Sequence, residues 1–273
     1  MTVEIYYLRL VNLELLTKSV CDIAKTAGNF IKEERKSFDL KKVDTKGLNQ
    51  LVSYVDIEAE KKIVLGLSQL NLDAGFITEE ETTGKSTKEL NWIIDPLDGT
   101  TNFIHDLPVF SVSIALAQGE DILIGVVYEV MKDECFYAWK EGGAWLNESR
   151  ISVSKIEKLQ DSLLATGFPY YDFKDTDAYL AVLKDFMKET HGLRRLGSAA
   201  VDMVYTACGR FEGFFEYGLH AWDIAAGICI VKEAGGEVSD FKNEKDYLFG
   251  KQIVASNKQT HKEILKTINA HFN

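Results

Sequence analysis

The segment NWIIDPLDGTTNF, Asn91 to Phe103, begins as a buried strand and ends as something else. Its apolar run, Trp92-Ile93-Ile94, stops at Asp95, and a second carboxylate, Asp98, follows after Pro96 and Leu97. The proline biases Asp95 toward an extended backbone and fixes its own φ. Asp98-Gly99-Thr100-Thr101 can then start a helical turn with the Gly99 and Thr100 amides facing outward. Free N–H groups at a helix start bind anions well, phosphate above all. Carboxylates and phosphate share such a site only if cations lie between them.

Working outward, two other stretches have the same character. GFITEEE sets Glu79, Glu80 and Glu81 directly after a short apolar strand, and HAWDIAAGICIVKEAGG sets Asp223 at the mouth of an apolar helix. Taken singly, Asp95 and Asp223 suit a turn or a helix N-cap, Glu79–Glu81 a solvated loop, and Asp56, in LVSYVDIEAE, an exposed helical charge. Convergence of Glu79, Asp95, Asp98 and Asp223 on one cleft would change that. Two like charges ~4 Å apart cost about 4 kcal/mol at an effective dielectric of ~20, so such a site needs protons or metal. All-oxygen ligands point to a hard cation, and beside phosphate to Mg²⁺. The five histidines, at 105, 191, 220, 261 and 271, show no metal-ligand spacing.

Periodicity supplies the frame. Leu16, Val20, Ile23, Ala27, Phe30 and Ile31 fall on one face of a helix over 13–35, and a second helical pattern runs through Ala59, Ile63, Val64, Leu67 and Leu70. Short apolar pieces follow at 75–77, 92–94, 109–117, 122–129 and 134–139, with turn residues at Gln118–Asp121 and Lys132-Asp133; they predict an antiparallel meander with helices packed on it. The later chain alternates: strands near 163–166, 211–215 and 253–255, and helices over 177–189, 198–208, 223–234 and 258–271, two of them closed by Gly209 and by Gly235-Gly236. The fold class is α+β in layers. The 273 residues form a single unit with two lobes, 1–150 carrying most of the acidic motifs and 151–273 carrying Asp223.

Composition narrows the function. Net charge is −11, from 31 basic and 42 acidic residues, with no basic block, which argues against nucleic acid as a partner. Cys21, Cys135, Cys208 and Cys229 are widely spaced in apolar surroundings, as expected of reduced core cysteines. The N-terminus does not begin as a signal peptide, and no apolar run approaches the ~20 residues of a membrane span. A cytoplasmic protein, off the membrane, is expected.

Three blocks in order, FITEE, WIIDPLDGTTNF and WDIAAGICIVKEAGG, resemble the inositol monophosphatase family of Mg²⁺-dependent, lithium-sensitive phosphatases. LATGFP at 164–169 and GLRRLGSAAVDMVYTACGRFEGFFE at 192–216 extend the likeness in the style of bacterial members. The resemblance implies an α/β/α/β/α sandwich of the inositol monophosphatase and sugar phosphatase type, usually a homodimer, acting on a small phosphorylated polyol. It implies two to three Mg²⁺ ions: one held by Glu79, Asp95 and the Leu97 carbonyl, a second by Asp95, Asp98 and Asp223, and a weaker third near Glu79. It further implies that the Gly99 and Thr100 amides cup the phosphate and that Thr100, hydrogen-bonded to Asp56, helps deprotonate water. Glu216 would accept from ring hydroxyls, with Arg194 and the Ser198-Ala199 backbone lining the same pocket as Asp223.

Some positions depart from the family pattern. Thr78 stands where a glycine is usual, and Lys46 is the candidate for a mobile-loop lysine. Ser198 and Ala221 replace the threonine and cysteine of animal members. The DGTTN form favours inositol 1-phosphate, while fructose 1,6-bisphosphate, histidinol phosphate and NADP are alternatives on related scaffolds. A regulatory protein that binds RNA polymerase is the competing class, since a bacterial relative of this kind also acts as a transcription cofactor.

Overall fold

The computed structural model describes residues 12–38, 43–47, 50–84, 86, 88–169 and 173–272, of which 44–47, 50 and 51 are described by their backbone alone. Helix α1 (Leu13–Arg35) begins where the Asn12 side chain accepts from the Leu15 amide, and it buries Val20, Ala24, Ala27 and Ile31 on one stripe. A ribbon of β1 (Val43–Gly47) and β2 (Gln50–Ser53) leads into α2 (Tyr54–Ser68). There a capping box closes the start: Ser53 Oγ accepts from Val55 N at 3.2 Å and Asp56 Oδ2 accepts from Ser53 N at 2.9 Å.

The predicted meander is present and extends further. Seven strands lie in chain order: β3 (Gly75–Thr78), β4 (Leu90–Asp98), β5 (Ser111–Gln118), β6 (Asp121–Glu129), β7 (Glu134–Trp139), β8 (Gly143–Leu146) and β9 (Ser149–Ile151). All neighbours pair antiparallel except β3, which joins β4 in parallel. Every residue from Ser111 to Ala117 is buried, because helices cover both faces of this sheet. On one face sit α1 and α2. On the other lie α5 (Ala199–Ala207) and α6 (Ala221–Glu233), where Gly125 allows close approach: a Cβ there would stand 2.4 Å from the Ala226 carbonyl oxygen.

Beyond α5 and α6 comes a second sheet, ordered β11 (Gly192–Arg194), β10 (Leu163–Thr166), β12 (Gly213–Tyr217), β14 (Gln252–Ser256), β13 (Glu237–Ser239). Its outer face is covered by α4 (Thr176–Glu189) and α7 (His261–Asn269), through Val182, Phe186, Ile264 and Ile268 packed against Phe215 and Val254. The result is the five-layer α/β/α/β/α sandwich. Among the described residues no helix is long and apolar enough to cross a membrane.

One expectation is corrected at the segment read first. Strand β4 does not stop at Asp95: its pairing with β5 resumes at Asp98, with Asp95 opposite Ser113 and Asp98 opposite Ser111. Three steps on β4 therefore match two on β5, which is a bulge holding Pro96, a residue with no N–H to give the ladder. Residues three apart on a regular strand face opposite sides of the sheet. The extra residue returns Asp95 and Asp98 to the same side. Helix α3 (Thr100–Ile104) then starts at Gly99, whose φ of 97° is a conformation glycine adopts freely.

Candidate active site

The bulge of β4, the starts of α3, α5 and α6 and the end of β12 meet around a cavity of about 300 Å³. Asp95, Asp98 and Asp223 each bring one carboxylate oxygen to within 4.8 Å of the others. Each is held from behind. Asp95 Oδ1 accepts from Leu97 N at 3.0 Å, Asp98 Oδ2 from Ser198 Oγ at 2.6 Å and Ala200 N at 2.7 Å, and Asp223 Oδ2 from His220 N at 2.6 Å. Asp223 is thus the third residue of α6, reaching back to its cap, and is not the N-cap itself.

Glu79 arrives by strand pairing. Thr78 lies beside Ile94 in parallel register, and Glu79 N donates to Ile94 O at 3.2 Å, which brings its carboxyl against that of Asp95. Thr78, despite replacing the usual glycine, keeps this pairing. Asp56 is fully buried, where an exposed helical charge was one reading, and its Oδ1 lies 2.8 Å from Thr100 Oγ1. The same hydroxyl is 3.0 Å from the Leu97 carbonyl oxygen, so its one hydrogen has two acceptors to choose between.

Burial and mutual repulsion push these carboxyls up. Asp95 stands well above the usual range, through burial first and then the charges of Glu79, Asp98 and Asp223. Asp98 is raised to about 6 by burial, against the hydrogen bonds from Ser198 and Ala200, and Asp223 to about 7 by burial and Asp98. Asp56 is raised by burial, against hydrogen bonds from Ser53 and Thr100. A buried all-oxygen cluster that resists ionisation on its own suits a hard divalent cation.

Glu216, Arg195, Asp202, Phe168, Ser198 and Ala199 also line the cavity. Gly167 makes room for Glu216: a Cβ there would lie 2.0 Å from its carboxylate. The expectation for Arg194 is corrected. Arg194 is exposed on β11, donating to the Leu193 carbonyl at 2.9 Å, and it is Arg195 that lines the cavity, its guanidinium over the Phe168 ring. Successive residues of an extended chain point to opposite sides, and the resemblance selected the wrong one of two adjacent arginines. His220, stacked on Trp222, also lines the cavity although its sequence context shows no sign of it. The side chain of Lys46 lies outside the described residues.

Sequence reasoning also missed Glu60. Its Oε2 accepts from Glu80 N at 2.8 Å, and its Oε1 from Thr82 N at 2.9 Å and Thr82 Oγ1 at 2.6 Å, so it clasps the loop that follows Glu79. A signal existed: Asp56 and Glu60 are acids on the α2 stripe otherwise made by Ala59, Ile63 and Leu67, all buried.

A five-layer α+β sandwich with an acidic cluster at the meeting point of its sheets and central helices defines the class. The inositol monophosphatase family model matches residues 12–272, and the chain belongs to that family. It is 42% identical to the putative Nus factor SuhB of Neisseria meningitidis serogroup B over 91% of this chain and 95% of that protein. It is equally 42% identical to the inositol-1-monophosphatase of Mesorhizobium japonicum, over 83% of this chain and 85% of that one. The crystal structure of the extragenic suppressor protein SuhB from Bartonella henselae superposes with a TM-score of 0.88 at 37% identity, covering 93% of this chain and 98% of that one.

Proposed function

We propose that this protein is a Mg²⁺-dependent phosphomonoesterase that hydrolyses inositol 1-phosphate, or a closely related polyol phosphate, to the free alcohol and phosphate. The observation that carries the reading is Thr100, hydrogen-bonded to the buried Asp56 behind it, lining one cavity with Asp95, Asp98 and Asp223. Glu79, Asp95 and the Leu97 carbonyl would hold one cation, and Asp95, Asp98 and Asp223 another. When bound, the cations supply the positive charge that offsets phosphate and alkoxide and acidifies the attacking water. Thr100 Oγ1 takes a proton from that water as it passes its own to Asp56. The Gly99 and Thr100 amides hold phosphate oxygens, and Glu216 accepts from hydroxyls of the alcohol. The same resemblance supports a homodimer.

A second reading is favoured by the relative named as a putative Nus factor: a regulatory role in which this chain binds RNA polymerase. Phosphate release from a panel of phosphomonoesters, with and without Mg²⁺, tests the first reading. Asp98→Asn should lower the rate at least ~100-fold. No release from any ester in Mg²⁺ rejects the phosphatase reading, and a binding assay with purified RNA polymerase then decides the second.

A further inference from the structure

The segment that carries Asp95 and Asp98 runs on into a buried asparagine to which the proposed chemistry gives no task. Asn102, third of the five residues of α3, is 5% exposed and is not among the residues lining the cavity. Asparagine is a costly choice for a buried helical position unless its amide is paired. Here both hydrogens of Nδ2 are used: one goes to the Val109 carbonyl at 2.7 Å, the other to the Leu196 carbonyl at 2.8 Å. Two carbonyl oxygens can face only the NH₂ end of the amide, so its partners fix its orientation.

The bond to Leu196 reaches 94 residues along the chain, to the connection between β11 and α5. Two residues further on, Ser198 Oγ donates back to Asp98 Oδ2 at 2.6 Å. Asp98 through Asn102 and Leu196 through Ser198 therefore form a closed ring, joined by one side-chain bond at each end. The ring has no slack. A Cβ on Gly99 would stand 3.2 Å from the Gly197 carbonyl oxygen, and a Cβ on Gly197 would stand 2.9 Å from Asn102 Nδ2. Gly197 takes its place there with a φ of 91°, a conformation that a side chain would strain. Asp98 Oδ2 accepts from Ala200 N as well, so the placement of Ser198 and the first turn of α5 decides where this carboxylate points.

We propose that Asn102 is a positioning residue for the metal centre: by holding the Leu196 carbonyl it keeps Ser198 and the first turn of α5 on Asp98, and so fixes that carboxylate for a divalent cation. The inference rests on the metal-binding part of the reading above. Groups that orient a ligand from behind are typically worth about 10–100-fold in metal affinity. Asn102 acts one bond further away, through Ser198, so the lower end of that range applies.

Isothermal titration calorimetry of the full chain with Mg²⁺, in the absence of substrate, tests this, and Asp98→Asn marks the binding step that needs Asp98. Asn102→Asp keeps the shape but turns acceptor oxygens toward two carbonyls, and Asn102→Ala removes the amide altogether. Each should raise the dissociation constant of that step about 10-fold. Urea unfolding in chelator supplies the folded fraction, by which each apparent constant is corrected. Ser198→Ala completes a double-mutant cycle. Because both residues act through one carboxylate, the double variant should lose clearly less than the product of the two single losses. A residue that only packed these segments together would lower the urea midpoint in chelator and leave the corrected constant unchanged. That result overturns the proposal by itself, as do single losses that multiply in the double variant. Wild-type protein that binds no Mg²⁺ overturns the metal reading and the proposal with it.

Discussion

Without metal, the acidic cluster should make the protein less stable as the pH rises from about 4.5 to about 8. Burial holds Asp98 at about 6 and Asp223 at about 7 in the fold, against 3.8 for an unperturbed aspartate. A carboxyl raised in the folded state binds its proton more tightly there than in the unfolded chain. Its contribution is complete below the unfolded pKa and disappears as the pH climbs through the folded one. For Asp98, moving from 3.8 to about 6 is worth roughly 3 kcal/mol, lost between about pH 4 and pH 7. Neighbouring carboxyls titrate together, so the cluster loses a few kcal/mol and not the sum of its members. His220 and His261, lowered by burial, act in the opposite sense as the pH falls through about 6.5. The comparison is therefore wild type against Asp98→Asn, which shares those histidines and lacks one titrating carboxyl. A divalent cation competes with the protons, so Mg²⁺ at ~100 times its dissociation constant should add about 2.7 kcal/mol near pH 8 and far less near pH 5. Urea unfolding in chelator and in Mg²⁺, at steps from pH 4.5 to 8, measures both effects. Parallel pH profiles for wild type and Asp98→Asn in chelator would refute the reasoning, as would Mg²⁺ stabilisation that is equal at pH 5 and pH 8.

Two further outcomes follow from single hydrogen bonds. Thr100→Val keeps the shape and removes the hydroxyl 2.8 Å from Asp56; phosphate-release kinetics should show kcat about 10²–10⁴-fold lower with KM little changed, whereas a raised KM at constant kcat would make the hydroxyl a binding group. Glu60→Gln weakens the clasp on residues 80–82 and should raise the Mg²⁺ concentration for half-saturation about 10-fold or more, with faster amide exchange at Glu80 and Thr82 in the metal-free protein; unchanged exchange would leave the clasp without a role in holding Glu79.

The elements most legible in the sequence are those whose burial is decided locally. The apolar stripe of 13–35 predicts α1 because a single helix face meets a single sheet, and the short apolar runs at 109–117 and 122–129 predict strands of a meander, which the structure covers on both faces. Strands β8 and β9, at 143–146 and 149–151, escaped notice because three or four residues carry no usable period. The parallel entry of β3 is a matter of topology: GFIT has the same composition whichever way it pairs. Order and direction in the second sheet, where β12 lies between β10 and β14, likewise come from how the layers close.

At the site the same division separates what a motif carries from what packing adds. The acids of WIIDPLDGTTNF and of HAWDIAAG stand out because carboxylates beside apolar runs conflict with burial, and the structure brings Asp95, Asp98 and Asp223 together. The motif alone cannot say how residues 95 and 98 come to share a face, since an odd spacing on a strand separates them. The answer requires β5, whose Ser113 and Ser111 count two where β4 counts three. Pro96 permits the bulge by removing a ladder donor, and the Leu97 amide freed there turns to Asp95 Oδ1, while the Leu97 carbonyl meets Thr100 Oγ1. A substitution that straightened β4 would therefore separate the two carboxylates without touching either. Glu60 obeys a related rule from the helices: it is an acid on the buried stripe of α2, and it is explained only by what lies across from it, the loop amides of Glu80 and Thr82.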